Sequence, residues 1–291
     1  MQGNGLLALS AAASWGGGDF SGGMGVKAAG GTTRAALRFI LLAHLCSFVV
    51  LIGILLAMHA SVPRGALLGW SLLGGLAGAI SLTAFYIALS RGEMGVSAAI
   101  SGLLAAAIPA IVSMLTEGMP GVWRLLGFGL AFVAIWVIAA GPSPENTGGK
   151  GTLGLAVLAG VGFGIYFVAL RMANPLGVVM PMAIARAASV TTCGLVLLML
   201  RLWRGTDVVE PWRISRAVMV WALLAALLDT GGNMLFVGAT LLGRLDVAAV
   251  LASLYPASTI LLAAWRLHEK PTKRQVAGMV VALAAVVMIT L

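Results

Sequence analysis

The chain has 291 residues, of which 60% are hydrophobic and only 9% are charged, a composition that excludes an ordinary soluble domain. A formal net charge of +9 would suggest nucleic acid as the partner of a soluble chain. In so apolar a chain the basic residues instead mark cytoplasmic loops, and we expect no nucleic acid partner.

Ten apolar runs follow one another, and the short connections between them hold most of the Pro, Lys and Arg residues. A hydrocarbon core about 30 Å thick needs roughly 20 apolar residues of helix, so each run is long enough to cross a membrane. No Lys or Arg precedes the first run, which therefore lacks the basic region of a signal peptide and is expected to be a mature helix. The sequence predicts an all-α membrane protein with ten transmembrane helices, at about residues 5–25, 32–56, 66–90, 95–116, 121–140, 152–172, 178–202, 216–241, 246–267 and 273–291.

The chain carries an internal repeat. Residues 94–104, followed by Glu117, reappear as residues 245–256, followed by Glu269. Upstream, Trp15-Gly16 and Phe163-Gly164 are 148 residues apart, and so are Arg38 and Arg186. We therefore predict a first five-helix repeat over residues 1–141, a connecting loop over 142–151 and a second repeat over 152–291. Because five is odd, the second copy must be inverted in the membrane, the plan of secondary transporters that bind substrate near the midplane.

Loop charges predict the orientation of the chain. Apart from Arg38 and Arg186, which lie inside helices, the odd-numbered loops hold twelve basic residues and the even-numbered loops hold four. Basic loops face the cytoplasm, so this bias predicts that both termini lie outside. Glu117 and Glu269 end the fourth and ninth helices, either as solvated boundary charges or as gating partners of nearby basic loops. The odd-loop residues are Lys27, Arg34, Arg91, Lys150, Arg201, Arg204, Arg213, Arg216, Arg266, Lys270, Lys273 and Arg274; the even-loop residues are Arg64, Arg124, Arg171 and Arg244.

Two acidic residues fall at membrane depth, where a charge is costly and is usually functional or paired. Asp229 lies near the middle of the eighth run, and Asn233, four residues on, shares its helix face. The two side chains can bind one ligand or each other. Asp19 follows three glycines in the first run. It is either a cation or proton site at a weakened helix or part of an internal salt bridge.

Basic and aromatic residues complete the set of candidates. Arg38 and Arg186 either bind an anionic group of the substrate or are structural residues that snorkel or form salt bridges. His44, near the centre of the second run, is either a proton relay or a packing residue. Aromatic side chains can line a cavity or simply pack between helices. The aromatic candidates are Trp15, Tyr86, Tyr166 and Tyr255, and the last precedes Pro256, where a helix break would border a cavity.

Several motifs together resemble the EamA family of the drug/metabolite transporter superfamily. The stretch from Ser14 to Phe20 resembles that family's Trp-Gly-x-x-Asn-Phe opening, with Asp19 in place of Asn. An arginine early in the second helix of each half also fits, as does Pro256 followed by Glu269, Gln275 and Gly278. The first half departs from the pattern, because Leu104 stands where the Pro is expected and Pro109 comes five residues later.

The resemblance covers essentially the whole chain and implies a ten-helix inverted-repeat carrier of small metabolites, often amino acids, frequently moved outward. It also implies cytoplasmic termini, in conflict with the loop charges. We expect a secondary-active exporter of an amino acid or related metabolite in a bacterial-type inner membrane. It is expected to contact membrane lipids, to be a candidate for proton coupling, and to be a monomer or homodimer.

Enzyme chemistry has little support in the sequence. HExxH, GxGxxG, Walker A and GxSxG motifs are all missing, so we predict no catalytic residues and no ATP-driven pump. The two cysteines, Cys46 and Cys193, lie inside apolar runs without CxxC or Cys/His spacing, so no metal site or cofactor is predicted. The alternative functions are a lipid flippase and a membrane-embedded enzyme that modifies lipid.

Overall fold

The computed structural model describes residues 3–91, 94–139, 150–203, 214–267 and 272–290, and within these ranges the regular elements are helices, with no strand. The predicted all-α class is confirmed. The helices are α1 (Gly3–Ala28), α2 (Thr33–Ala57), α3 (Ala66–Arg91), α4 (Met94–Glu117), α5 (Val122–Ala139), α6 (Lys150–Met172), α7 (Val179–Trp203), α8 (Arg216–Leu242), α9 (Leu245–Ala252), α10 (Tyr255–Leu267) and α11 (Lys273–Thr290), with a short 3-10 helix at Asn174–Leu176.

Helix starts and helix interiors follow local chemistry. The Thr32 hydroxyl accepts a hydrogen bond from the amide of Ala35 at 3.1 Å and caps α2, and Ser215 caps α8 through the amide of Val218 at 3.2 Å. Inside the helices, hydroxyl groups donate to carbonyl oxygens of the preceding turn, as Ser81 does to Ala77 at 2.6 Å. These hydroxyl groups are thus satisfied without water, as a lipid environment requires.

The ninth predicted run is broken in two. Helix α9 ends at Ala252 and α10 begins at Tyr255, so the break precedes Tyr255-Pro256. Pro256 then lies in the first turn of α10, where its missing N–H leaves no helical hydrogen bond unmade.

The predicted number of spans is not confirmed. Within the described ranges, seven helical segments are long and apolar enough to cross a membrane, whereas the apolar segments 122–138 and 245–259 are shorter. Of the predicted connecting loop, residues 142–149 lie outside the described residues, and so does Glu269. Helix α6 already begins at Lys150.

Helix pairs join the two halves of the chain. Helix α1 packs on α8 and α6 packs on α3, while α2 packs on α7 and α5 packs on α11. Gly16 and Gly164, which the repeat relates, have similar roles. A Cβ added at Gly16 would lie 2.8 Å from the carbonyl oxygen of Tyr255 in α10, and one at Gly164 would lie 2.7 Å from the Cβ of Ile108 in α4. Both glycines therefore allow a neighbouring helix to approach closely.

One face of the bundle is closed by a network that we call the polar network: Glu117, Arg171, Arg244 and Asp246. It lies where the loops after α4, α6 and α8 meet, the even-loop face. Arg171 donates to the Glu117 carboxylate at 3.0 Å, and Arg244 donates to Asp246 at 2.7 Å. Arg244 also donates to the carbonyl oxygens of Glu117 at 3.1 Å and Gly118 at 2.6 Å. Helices α4, α6 and α9 are thereby joined, and Glu117 is a paired residue.

The fully buried helix α9 lies directly behind this network. All eight of its residues are buried, including Asp246, whose side chain is 0% exposed. A buried carboxylate is stable only when it is paired and hydrogen-bonded, so Arg244 is the residue that allows Asp246 to lie there. The break after Ala252 leaves α9 as a short, separate element between the even-loop face and the centre of the bundle.

The close contact between α1 and α10 at Gly16 predicts that adding one methyl group there lowers the stability of the protein. Gly16→Ala should lower the melting temperature of the detergent-solubilised protein, because the new Cβ overlaps backbone atoms of α10 and overpacking costs about 1–3 kcal/mol. Gly23→Ala is the matched control: it gives the same helix the same change, and no atom lies within 4 Å of its Cβ. Equal melting temperatures for the two variants would contradict the close contact.

Candidate functional site

A buried ion pair lies at the centre of the bundle. Arg186 of α7 donates through its Nη2 to Oδ2 of Asp229 in α8, and the same nitrogen donates to the hydroxyl of Thr230 at 3.2 Å. The Arg186 side chain is only 6% exposed, whereas 35% of the Asp229 side chain is accessible. Breaking a buried pair by removing one partner is strongly destabilising, so these two residues fix α7 against α8.

His44 of α2 holds the other side of the guanidinium. The Nη1 of Arg186 lies 2.9 Å from Nε2 of His44, and Nδ1 of His44 lies 2.7 Å from the hydroxyl of Ser189. Because arginine can only donate, Nε2 must be an unprotonated acceptor, and the ring is neutral with its proton on Nδ1, directed at Ser189. In this arrangement His44 orients Arg186.

Asn233 supports the carboxylate from within α8. Its side-chain amide donates to the carbonyl oxygen of Asp229 at 2.7 Å and to Oδ1 at 3.2 Å. Of the two alternatives open from the sequence, a shared ligand or a mutual hydrogen bond, the structure shows the mutual hydrogen bond. Asp229 therefore has its two oxygens held by different residues, Oδ1 by Asn233 and Oδ2 by Arg186.

Two small cavities lie on either side of Asp229. The first, of about 40 Å³, is lined by His44, Arg186, Asp229 and Asn233 together with Ser189, Phe163 and Tyr166. The second, of about 30 Å³, is lined by Asp19, Trp15, Tyr86 and Phe39 and shares His44 and Asp229 with the first. Both volumes exceed the space that one water molecule needs, and both contain polar groups that could bind it.

Stacked aromatic rings separate these cavities from the even-loop face. We call Trp15, Phe167 and Phe236 the aromatic layer. Trp15 stacks on Phe167 with ring centroids 5.1 Å apart and planes 9° apart, and Phe167 lies 4.7 Å from Phe236. Trp15 is one turn before Asp19 in α1, and Phe236 is two turns after Asp229 in α8. Both positions lie toward the even-loop face, because the start of α1 contacts the end of α8 at Asn4 and Gly243.

Most sequence-predicted candidates converge here, and two of them, Tyr255 and Arg38, line neither cavity. Asp229, Asn233, Arg186 and His44 form one hydrogen-bonded cluster; Asp19, Trp15 and Tyr86 line the second cavity, and Tyr166 lines the first. Tyr255 lies at the start of α10 and is linked by a side-chain hydrogen bond to Ser101. Arg38 is half-buried in α2 and lines neither cavity.

Sequence reasoning missed the hydroxyl partners of the cluster. Thr230 adjoins Asp229, and Ser189 lies three residues after Arg186 on the same face of α7. Those positions were detectable as polar residues next to intramembrane charges. Phe167 and Phe236 resemble ordinary core residues, and nothing in the sequence distinguishes them from other buried aromatics.

The comparisons with known proteins point to transport. Residues 150–291 match the model of the EamA-like transporter family, so the resemblance that the sequence motifs indicate is confirmed over the second repeat. That family belongs to the drug/metabolite transporter superfamily and consists of membrane transporters rather than enzymes. No curated protein matches the chain.

A solved structure described only as "Crystal structure of protein" is similar in fold, with a TM-score of 0.75 and 15% sequence identity. The match covers 99% of this chain and 96% of that chain, so the likeness in fold extends over the first repeat as well. The apolar helices and the family match over residues 150–291 together indicate an integral membrane protein.

The ion pair predicts strong coupling between two substitutions. The double variant Arg186→Ala/Asp229→Asn should lose less stability than the sum of the single variants, by about 1–3 kcal/mol, because each single change leaves a charge without its partner. Unfolding by SDS in mixed micelles measures all three variants. Arg186→Ala combined with Ser71→Ala is the control, since Ser71 donates within α3 and its effect should add. Additive losses in both pairs would contradict a functional ion pair in the folded protein.

Proposed function

We infer that this chain, whose residues 150–291 belong to the EamA-like transporter family, is a secondary-active carrier of small polar metabolites that works by alternating access. Amino acids or related compounds are its proposed substrates, moved out of the cell across a bacterial-type inner membrane. The observation that carries this proposal is the hydrogen-bonded charge cluster of Arg186, Asp229 and His44, bordered by cavities at the centre of the bundle. Charges at membrane depth are rare and mark substrate or ion pathways.

The pairing of helices supports an inverted repeat. Under the predicted correspondence, α1 matches α6 and α3 matches α8, so the α1–α8 and α3–α6 pairs are equivalent, while α2–α7 is a pair of matching helices. The charge cluster lies across α2, α7 and α8, which contribute His44, Arg186 and Asp229. A carrier in which one half rocks against the other would expose such a site to each side in turn.

Two sets of contacts close the even-loop face, the aromatic layer and the polar network. Both support an alternating-access cycle. The aromatic layer lies next to the cavities, and the polar network lies beyond it. Both would have to separate for substrate to reach that face. With the topology that the loop charges predict, the closed face is the outer one. An exporter in this state would receive substrate from the cytoplasm.

Chemistry at the site fits a zwitterion. Arg186 can bind a carboxylate, and Asp19 and Asp229 can bind an ammonium group. A proton is the candidate coupling ion. His44 was a candidate relay for it, but the geometry favours a neutral His44 that accepts a hydrogen bond from Arg186.

Counterflow in proteoliposomes tests the proposal. Full-length protein should catalyse saturable exchange of one class among labelled amino acids, organic cations and sugars, and Asp229→Asn should lower the exchange rate by tenfold or more, about 1.4 kcal/mol. Thr191→Ala is the control, because Thr191 is exposed on α7 and its hydroxyl bonds only within its own helix. Folded protein that exchanges none of these compounds would contradict the carrier and favour the lipid flippase or lipid-modifying enzyme.

Opening of the even-loop face has its own test. Ala11, one turn before Trp15 and 0% exposed, is changed to Cys in a Cys46→Ala/Cys193→Ala background. Glu117→Gln should raise the rate at which a membrane-impermeant thiol reagent labels this position by about 5–30-fold, the effect of ~1–2 kcal/mol on an opening equilibrium. Arg124→Gln, a charge change near the same face outside the polar network, should leave the rate unchanged. Equal rates in both variants would show that the network does not hold the face closed.

A further inference from the structure

The second cavity contains a carboxylate for which the structure shows no internal partner. Asp19 lines it from α1, half-buried, and among the described residues it makes no hydrogen bond or ion pair of the kind that Asp229 makes. A carboxylate at membrane depth without a counter-charge is costly, so it requires a proton or another cation. Asp229 lines the same cavity and adds a second acidic side chain to it.

Among the described residues that line the two cavities, the charges do not balance. Their lining residues include two carboxylates, Asp19 and Asp229, and one guanidinium, Arg186. His44 supplies no charge, because its Nε2 accepts a hydrogen bond from Arg186. With both acids ionised, the site carries one negative charge more than positive, and one monovalent cation would neutralise it.

The residues around Asp19 are suited to binding a cation. A Cβ at Gly18 would lie 3.3 Å from the amide nitrogen of Asp229, and a Cβ at Gly22 would overlap the hydroxyl oxygen of Tyr86. These glycines flank Asp19 in α1 and let the Asp229 backbone and the Tyr86 hydroxyl approach on its two sides. The rings of Trp15, Tyr86 and Phe39 line the rest of the cavity. Aromatic faces attract ammonium groups by cation–π interaction, and the hydroxyl is an oxygen donor for a metal ion.

We propose that Asp19 is the anchor of a monovalent cation site in the cavity between α1, α2, α3 and α8. The occupant is either the ammonium group of the transported compound or an alkali cation that accompanies transport. This inference rests on the proposed carrier function and adds the chemistry of one end of the site. The charged and titratable groups around Asp19 are Asp229 on α8, His44 on α2, Tyr86 on α3 and Tyr255 on α10, with Arg186 on α7 behind Asp229. Without a cation, a proton on Asp19 provides the same charge balance.

Competition with a carboxyl reagent tests the site without any transport. A hydrophobic carbodiimide modifies carboxyl groups through their protonated form, so a cation that displaces the proton from Asp19 slows its modification. Purified full-length protein is treated at one fixed pH with sodium chloride, methylammonium chloride or an impermeant-anion salt of choline added, and the Asp19 peptide is quantified by mass spectrometry. We expect protection of Asp19 in the wild-type protein. Asp19→Asn should remove the label from this peptide, and Asp19→Glu should restore both label and protection.

The salt that protects Asp19 from modification identifies the source of the cation. Protection by methylammonium or choline, with sodium inactive, assigns the site to the ammonium group of the substrate; protection by sodium at the same concentration assigns it to an accompanying alkali cation. Labelling that none of these salts slows would overturn the proposal. Glu117, on the even-loop face, is an internal control whose labelling should not respond.

A transport assay distinguishes an error in the proposed cation site from an error in the proposed carrier function. In the counterflow assay, Asp19→Asn should raise the half-saturating concentration of an ammonium-bearing substrate roughly 30-fold or more, equivalent to the ~2 kcal/mol expected when one partner of a buried charge pair is removed. Asp19→Glu should recover most of this loss. Wild-type exchange that Asp19→Asn leaves unchanged would overturn the cation site alone. Absence of wild-type exchange would overturn the carrier function, while carbodiimide protection would still report on the site.

Discussion

The ion pair between Arg186 and Asp229 is the constraint on which the rest of the site depends. Taking two charges out of water is expensive, and their attraction offsets that cost only when their remaining hydrogen-bonding groups are satisfied. His44, Thr230 and Asn233 provide those hydrogen bonds, and they come from α2 and α8. The pair therefore links three helices at one point, and both cavities border Asp229.

Under the predicted repeat, the residues that differ between the two halves provide the chemistry of the site. With the offset of 148 residues, Asp19 corresponds to Phe167. With the offset of 151 residues that relates residue 94 to residue 245, Asp229 corresponds to Gly78. A carboxylate in one half is thus matched by an aromatic ring or by glycine in the other. Phe167 lies in the aromatic layer and Gly78 lines the first cavity. Two halves related by the predicted repeat can thus form a site with carboxylates on one side and aromatic rings on the other.

The sequence predicted how deep the charged side chains lie in the membrane, but it did not predict which residues they contact. Counting residues from the ends of apolar runs places Asp229 and Arg186 inside the membrane, and the i to i+4 spacing puts Asn233 beside Asp229, as found. Tyr255-Pro256 indicated a break in the ninth run, and the break precedes it directly. Hydropathy, however, does not specify how a helix is rotated about its axis or which helices it packs against. The contact of His44 with Arg186, 142 residues apart, and that of Arg171 with Glu117 depend on how helices pack, which the pattern of one helix cannot specify.

The central ion pair has one hydrogen-bond donor that is not satisfied, which bears on the proposed alternating-access cycle. The Nε of Arg186 is buried and has no hydrogen-bond partner among the described residues. Leaving such a donor unpaired costs about 1–3 kcal/mol, and more when the group is charged. An arrangement that gave this nitrogen an acceptor would recover that free energy, and an oxygen atom entering from the adjoining cavity is one way to provide it. A ligand moves a conformational equilibrium only through its different affinities for the two states. A substrate oxygen that reached this unpaired donor in only one state would provide such a difference at Arg186, the residue that joins α7 to α8.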